Sequence, residues 1–208
     1  MLSVLGWYKL FKIDFHVHTA ERSSCAISSQ TEQIRAAIKS GLQAIAITDH
    51  SKLVPEAELA QLNRDFAPFR ILNGIEITTD GEDWLVLGVT DPILETEKWT
   101  YAQLHQYVHA RGGIIILAHP FRFRPAIEID LLTYTPDALE LRSNNIRQDL
   151  MPQIKDLANS LHIPTLCNSD AHFTGSIGRY YNIFNNSNLE MPHILAEIKS
   201  GAMRPSLA

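Results

Sequence analysis

The stretch "GGIIILAHP" at residues 112–120 decides how the chain is read. Two glycines halt whatever precedes it. Ile114 to Ala118 then runs without polar alternation, as a strand does when both of its faces are covered. Such strands belong to parallel sheets sheathed in helices. His119 and Pro120 follow at once, at the strand's carboxyl end, where α/β folds place their functional side chains.

The same pattern recurs on both sides of that stretch. "FKIDFHVH" (11–18), "LQAIAIT" (42–48) and "FRILNGIEI" (69–77) read as strands. Between them, "SSQTEQIRAAIKSG" (28–41) has Ser29 and Glu32 in capping-box spacing and Gly41 as a stop, and "PEAELAQLNRDF" (55–66) is a helix opened by proline. An Asp80-Gly81 turn leads into "WLVLGV" (84–89), and a helix is predicted over 96–113. Strands at 137–143 and 164–170 and helices near 146–162 and 189–200 complete the series. Strands alternating with helices of about ten to fifteen residues predict parallel βαβ units. The fold class is therefore α/β, as a barrel or a doubly wound sheet, in one domain spanning residues 1–208.

A formal charge of −5 and a pI near 6.0 argue against a protein that coats nucleic acid. Cys25 and Cys167 are the only cysteines and have no C-x-x-C spacing, which fits a reducing compartment. The start "MLSVLGWYKLFK" lacks the basic region, long apolar stretch and small-residue cleavage site of a signal peptide. No apolar run reaches membrane length, so a cytoplasmic protein with no membrane partner is expected. The apolar residues of "MLSVLGWY" suit either a plug for the barrel bottom or a surface for self-association, and the oligomeric state is left open.

The strand ends alone yield His16 and His18, Asp49-His50, Glu76, His119, and Asp170 with His172. Five of the nine histidines fall there, each within reach of a carboxylate. Residues i and i+2 of a strand share a face, so His16 and His18 project together, with Asp14 beside them. Burying several imidazoles and carboxylates in one place is costly unless a cation offsets it. Imidazole and carboxylate without thiolate suit an open zinc, manganese or iron site rather than a closed structural one. His105 and His109 have the i, i+4 spacing of a zinc protease, but "HQYVH" lacks its glutamate, and a solvated helix face is the expected reading. Cys167 is expected to pack within its strand.

The ordered set "DFHVHT", "ITDH", "GIEI", "AHP" and "SDAH" resembles the PHP family, the polymerase and histidinol phosphatase domain, over about residues 12–179. The resemblance implies a distorted (β/α)7 barrel of the PHP type. It also implies a centre of two to three divalent ions (Zn, Mn or Fe) at the mouth and metal-dependent phosphoester hydrolysis. Carried over by motif, His16, His18, Glu76 and Asp170 resemble the ligands of one ion, with Glu76 bridging to a second. His50, His119 and His172 resemble the ligands of the remainder. Asp14 and Asp49 are placed behind the ligands, orienting imidazoles by hydrogen bonds. Two positions depart from the family pattern: Ser24 stands where many members carry an Asp or His. Leu85, or Trp84 on a shifted register, stands where many carry a His, with Asp83 as the nearest substitute.

The expected chemistry is attack on phosphorus by a metal-activated water, with His119 or His172 protonating the leaving alkoxide. Arg122, Arg179 and Arg142 are the candidates for holding phosphate oxygens, and Phe121 and Phe123 for stacking a base. The expected substrate is a small phosphate monoester or nucleotide. The alternatives are an exonuclease or oligoribonuclease acting on short nucleic-acid ends, or a catalytically weak scaffold.

Overall fold

The computed structural model describes residues 10–184 and 188–206. The apolar "MLSVLGWY" segment lies outside the described residues. Strands β1 (Phe11–Val17), β2 (Ala44–Ile47), β3 (Arg70–Thr79), β4 (Glu82–Leu87), β5 (Ile114–Leu117), β6 (Ala138–Arg142) and β7 (Thr165–Cys167) follow one another around a nearly closed barrel. Two short strands, β8 (Asn182–Phe184) and β9 (Arg204–Pro205), extend the sheet beyond β1. This is the distorted seven-stranded barrel that the sequence predicts, with one strand reversed. The helices are α1 (Gln30–Lys39), α2 (Glu56–Asp65), α3 (Tyr101–His109), α4 (Met151–Leu161) and α5 (Met191–Ser200). No helix among the described residues is long and apolar enough to cross a membrane.

The reversal corrects the expectation of uniformly parallel strands. A two-residue turn at Asp80-Gly81, both with positive φ, joins β3 directly to β4, so β4 runs antiparallel to β3 and to β5. No room exists there for the crossover that a parallel neighbour requires. The opening of β4, at Asp83, therefore lies at the carboxyl end of the other strands. Helix α3 is also shorter than predicted, because Thr100 and Gln103 form a capping box that fixes its start. The box of Ser29 and Glu32 forms at α1.

The apolar run of β5 serves two cores. Ile114 and Ile116 join the cluster of Ile13, Phe15, Leu85, Leu87 and Leu166, whereas Ile115 and Leu117 join that of Leu104 and Val108 on α3 and Ile154 on α4. Helix α5 adds Ile194, Leu195 and Ile198 to the first cluster. A Cβ at Gly88 would meet the Leu195 side chain, and Lys199 reaches the carbonyl of Gly113. Helix α5 thus crosses the barrel end where β5 begins, opposite the strand carboxyl ends.

Between β7 and β1 the barrel is joined largely through side-chain amides. Asn182 accepts from the Cys167 N–H and donates to the Cys167 carbonyl, both at 2.9 Å. Asn168 accepts from the Phe15 N–H at 3.1 Å, and further up His18 N–H bonds to the Ala171 carbonyl at 2.9 Å. Cys167 is fully buried beside this seam, and burial pushes its thiol up to about 12, as expected of a packing residue.

His105 and His109 are not a solvated face. His109 Nε2 lies 2.8 Å from Asp137 Oδ2, and His105 Nε2 lies 3.0 Å from the Thr135 carbonyl. The two rings are tilted at 54° to each other with centroids 4.0 Å apart, and both are partly buried between α3 and the segment leading into β6. Their spacing serves a helix-to-loop contact, away from the strand carboxyl ends.

Two outcomes follow from this packing. Asn182→Ala should leave the buried Cys167 N–H and carbonyl unpaired and lower stability in urea denaturation by about 2–4 kcal/mol, each orphaned group costing about 1–3. A loss below about 0.5 kcal/mol would show that the seam does not depend on it. The hydrogen bond to Asp137 raises the His109 pKa above its ordinary value. Its contribution should be full below about pH 6.5 and lost as pH rises through the raised value. The stability gap between wild type and His109→Gln should accordingly shrink between pH 5.5 and pH 8.5. A constant gap would assign the contact to packing alone.

Candidate metal centre

Each candidate ligand sits at the carboxyl end of a barrel strand, or just beyond one. His16 and His18 come from β1 and its end, His50 follows β2, Glu76 lies in β3, His119 follows β5, and Asp170 and His172 follow β7. His16, His18, Glu76, His119 and Asp170 are all but fully buried, while His50 and His172 are partly exposed. His119 and Asp170 have φ of 28° and 50°, a left-handed backbone that non-glycine residues rarely adopt. Strain of this kind persists only where the surroundings enforce it.

The side-chain atoms converge closely. His16 Nε2 and His18 Nε2 are 2.9 Å apart. His16 Nε2 stands 3.4 Å from both Glu76 Oε1 and Asp170 Oδ1, and His18 Nε2 stands 3.3 Å from Glu76 Oε2 and Asp170 Oδ1. His50 Nδ1 reaches Glu76 Oε2 at 2.9 Å, and His119 Nε2 reaches Glu76 Oε1 at 3.2 Å. Glu76 thus touches four imidazoles. Asp83 Oδ2 lies 3.7 Å from His119 Nε2. Among the described residues, four groups of three atoms meet a metal-site spacing: His18-His50-His172, His16-His119-Asp170, His16-His18-Glu76 and Glu76-Asp83-His119.

The donor set fits divalent cations. Asp170 Oδ1 and Glu76 Oε2 are buried, and the imidazole nitrogens that crowd them at 2.9–3.5 Å are not aligned as hydrogen-bond donors. Atoms held about 2.0–2.1 Å from one ion lie roughly 3 to 3.4 Å from each other, the spacing seen here. Burial alone would raise the carboxyls of Asp170 and Glu76. Neighbouring imidazoles, His16 foremost, instead hold both well below the usual carboxylate range. Against the opposing effect of burial, Asp170, Glu140 and Glu76 push His16 well above the histidine range. The cluster demands positive charge, and divalent ions supply it without protons.

Several supporting residues escaped the sequence reading. Glu140 Oε1 accepts from His16 Nδ1 at 2.9 Å, while its Oε2 accepts from the His119 N–H at 2.9 Å. The Asn145 amide donates to Asp170 Oδ2. Glu140 was findable as the lone acid in the apolar strand "ALELR"; nothing in the sequence marks Asn145. Asp14 does not orient an imidazole. Its Oδ1 accepts the main-chain N–H groups of His16 and Ser169 at 3.2 and 3.0 Å, and burial pushes its carboxyl up to about 7. Asp49 accepts from Thr19, Ser23 and Arg22 rather than from a histidine.

At the two departures, Ser24 is exposed, and Leu85 and Trp84 are wholly buried in apolar packing, with Trp84 stacked on Tyr101. Asp83 is the side chain that β4 brings to the cluster. A cavity of about 510 Å³ opens over Asp170 and His172, lined also by Arg122, Arg179, Cys25, Asn145 and Phe173. Arg142 does not line it; its guanidinium lies over the Tyr180 ring at 5.0 Å. Phe123 is exposed with its ring edge-on to His119, whereas Phe121 packs against the apolar core.

Histidines and carboxylates converging at the strand carboxyl ends of a nearly closed α/β barrel define a candidate metal site at its mouth. The comparisons narrow it. The PHP-associated family (PHP_C) matches residues 152–203. The chain is 31% identical over 200 residues to the DNA polymerase/3'-5' exonuclease PolX of Bacillus subtilis, covering 77% of this chain and 34% of that protein. It is 29% identical over 147 residues to the probable phosphatase YcdX of Escherichia coli, covering 59% and 58%. The chain therefore spans about a third of the first relative and somewhat over half of the second. A two-domain Bacteroides vulgatus protein containing a predicted PHP-like metal-dependent phosphoesterase superposes with a TM-score of 0.73. It shares 16% identity, over 99% of this chain and 67% of that one. With the five ordered motifs in place, these matches support a PHP-domain family.

Removing divalent ions with a chelator should lower the melting temperature, and manganese or zinc should restore it in a concentration-dependent way. At a hundredfold excess over Kd the gain is about 2.7 kcal/mol, or roughly 5–10 °C for a chain of this size. A melting temperature indifferent to both treatments would remove the metal reading.

Proposed function

We propose that the chain is a metal-dependent phosphoesterase that hydrolyses a small phosphate monoester or nucleotide. The observation that carries this reading is the convergence of Glu76, Asp170 and five imidazoles directly beneath a cavity lined by Arg122 and Arg179. His16, His119, Asp170 and Asp83 would hold one ion, His18 and His50 another, and Glu76 faces both sets, which leaves His172 to the cavity. Bound divalent ions supply an acidified water and neutralise charge on the phosphate.

The chain's own residues do the rest. Arg122 and Arg179 stand exposed at the cavity wall, where guanidinium groups pair with the phosphate oxygens that the ions leave free. His172 is the imidazole that lines the cavity, with its side chain a quarter exposed, and it is placed to protonate a leaving alkoxide. His119, 2% exposed, turns Nε2 inward to Glu76 and serves the ions. Asn145 steadies Asp170 at the cavity floor.

A second reading, the trimming of short nucleic-acid ends, is favoured by the exposed aromatic rings of Phe123 and Phe173 near the cavity and by the exonuclease named among the relatives. One assay separates them: manganese-loaded protein against p-nitrophenyl phosphate, nucleoside monophosphates and a 5'-labelled oligonucleotide. Release of phosphate from the small substrates with the oligonucleotide intact is the expected outcome; shortening of the oligonucleotide alone would install the second reading. His18→Ala should reduce kcat/KM by about a thousandfold or more, since a bound ion contributes several kcal/mol and each 1.36 kcal/mol is tenfold. Arg122→Ala should raise KM by about tenfold or more, the effect of one charge-assisted contact. Wild type and His18→Ala equally inert on every substrate would leave only the scaffold.

A further inference from the structure

Resting on the metal reading above, we infer that Ser23 is a positioning residue that fixes the ligand-bearing form of His18 and, with it, the ion on the His18-His50 side. Ser23 is 1% exposed and is held in a tight turn by its N–H to the Thr19 carbonyl and its carbonyl to the Ala26 N–H. Its Oγ meets three partners: Asp49 Oδ1 at 2.6 Å, the His50 N–H at 3.0 Å and His18 Nδ1 at 3.2 Å.

Proton counting assigns each bond. A hydroxyl has one proton and two lone pairs. The His50 main-chain N–H is necessarily a donor. The short contact to the Asp49 carboxylate, itself an acceptor of the Thr19 N–H, the Thr19 hydroxyl and Arg22 Nε, takes the hydroxyl proton. The remaining lone pair of Ser23 faces His18 Nδ1, which must then carry the ring proton. His18 Nε2 is left with its lone pair aimed at Glu76 and Asp170.

Glu140 does the same work on the opposite side. It accepts from His16 Nδ1 through one oxygen and from the His119 N–H through the other. Each support therefore grips one imidazole at Nδ1 and a second histidine by its main chain. Ser23 with Asp49 serves His18 and His50; Glu140 serves His16 and His119. The two supports share no histidine, so each acts first on the ion of its own side, with Glu76 common to both.

The test strips the protein with a chelator and refills it with manganese, following stoichiometry by elemental analysis and the binding steps by calorimetry. Wild type should take up at least two equivalents. Ser23→Ala should weaken one step by about 10- to 100-fold, the usual effect of losing a support behind a ligand, and leave the other unchanged. Ser23→Thr, which keeps the hydroxyl, should restore it. Glu140→Gln should weaken the complementary step. Wild type binding less than one equivalent would defeat the metal reading itself. Wild-type stoichiometry with Ser23→Ala unchanged, or with Ser23→Ala and Glu140→Gln weakening the same step, would overturn the role of Ser23 alone. Should Ser23→Ala fail to fold by circular dichroism, Asp49→Asn serves instead. Its amide can donate to Ser23, turning the hydroxyl toward His18 Nδ1, and it too should weaken that step; binding as in wild type would overturn the inference.

Discussion

Glu76 is the side chain on which the mouth of the barrel depends. Its carboxylate is buried and lies within hydrogen-bonding or near-contact distance of four imidazoles, two of which crowd Oε2 without hydrogen-bond alignment. An isolated buried carboxylate is costly, and adding Asp170 beside it compounds the cost. The fold answers with positive charge from several directions, whether as protons on imidazoles or as divalent ions. Everything nearby then has to hold those imidazoles with their open nitrogens facing inward. Glu140 and the Ser23-Asp49 pair do so from behind, at the Nδ1 atoms. The left-handed backbone at His119 and Asp170 is the conformational counterpart of the same demand.

The reversed strand explains why the fourth element contributes an aspartate rather than a histidine. In β4 the register sets Leu85 opposite Glu76 and Asp83 opposite Thr78. Leu85 faces the interior cluster with Ile116 and Leu87, whereas Asp83, nearer the mouth, accepts from the Thr78 hydroxyl and approaches His119. A ligand from this strand therefore comes most naturally from its opening residues. Ser24 shows a related shift by one position. It points outward, while its neighbour Ser23 is buried against His18. At the two departures from the family pattern, a residue one position before Ser24 and one two positions before Leu85 reach the histidine cluster.

Much of this was legible in the sequence, and the physical reason is periodicity. Runs such as "IIILA" report strands covered on both faces, and strand ends are then fixed to within about three residues by glycine, proline and capping boxes. His16, His18, Glu76 and Asp170 could be assigned to one end of the fold because parallel strands share a direction. The direction of β4 was not legible in the same way, since its apolar pattern is indifferent to polarity; only the Asp80-Gly81 turn bore on it. Contacts between side chains distant in sequence were illegible altogether. Nothing about His109 announces Asp137, and nothing about Asn182 announces the main chain of Cys167. Asp14 was misread for the same reason: a carboxylate beside two histidines invites an imidazole contact, yet its nearest donors are main-chain N–H groups brought in by Ser169.

The seam between β1 and β7 ties these points together. Strands elsewhere in the barrel are paired by main-chain ladders, with register shifts in the β1–β2 and β6–β7 pairs, but here side-chain amides of Asn168 and Asn182 stand in for much of the ladder. The ligands straddle that seam, with His16 and His18 on the β1 side and Asp170 and His172 beyond β7. An ion shared by His16 and Asp170 is thus a cross-link across the least continuous join in the barrel, and Glu76 and His119 extend it to β3 and β5. Metal binding and barrel closure then draw on the same contacts. Divalent ions bound at the seam would stabilise the scaffold where side-chain amides replace the ladder, so their removal would be felt by the fold itself.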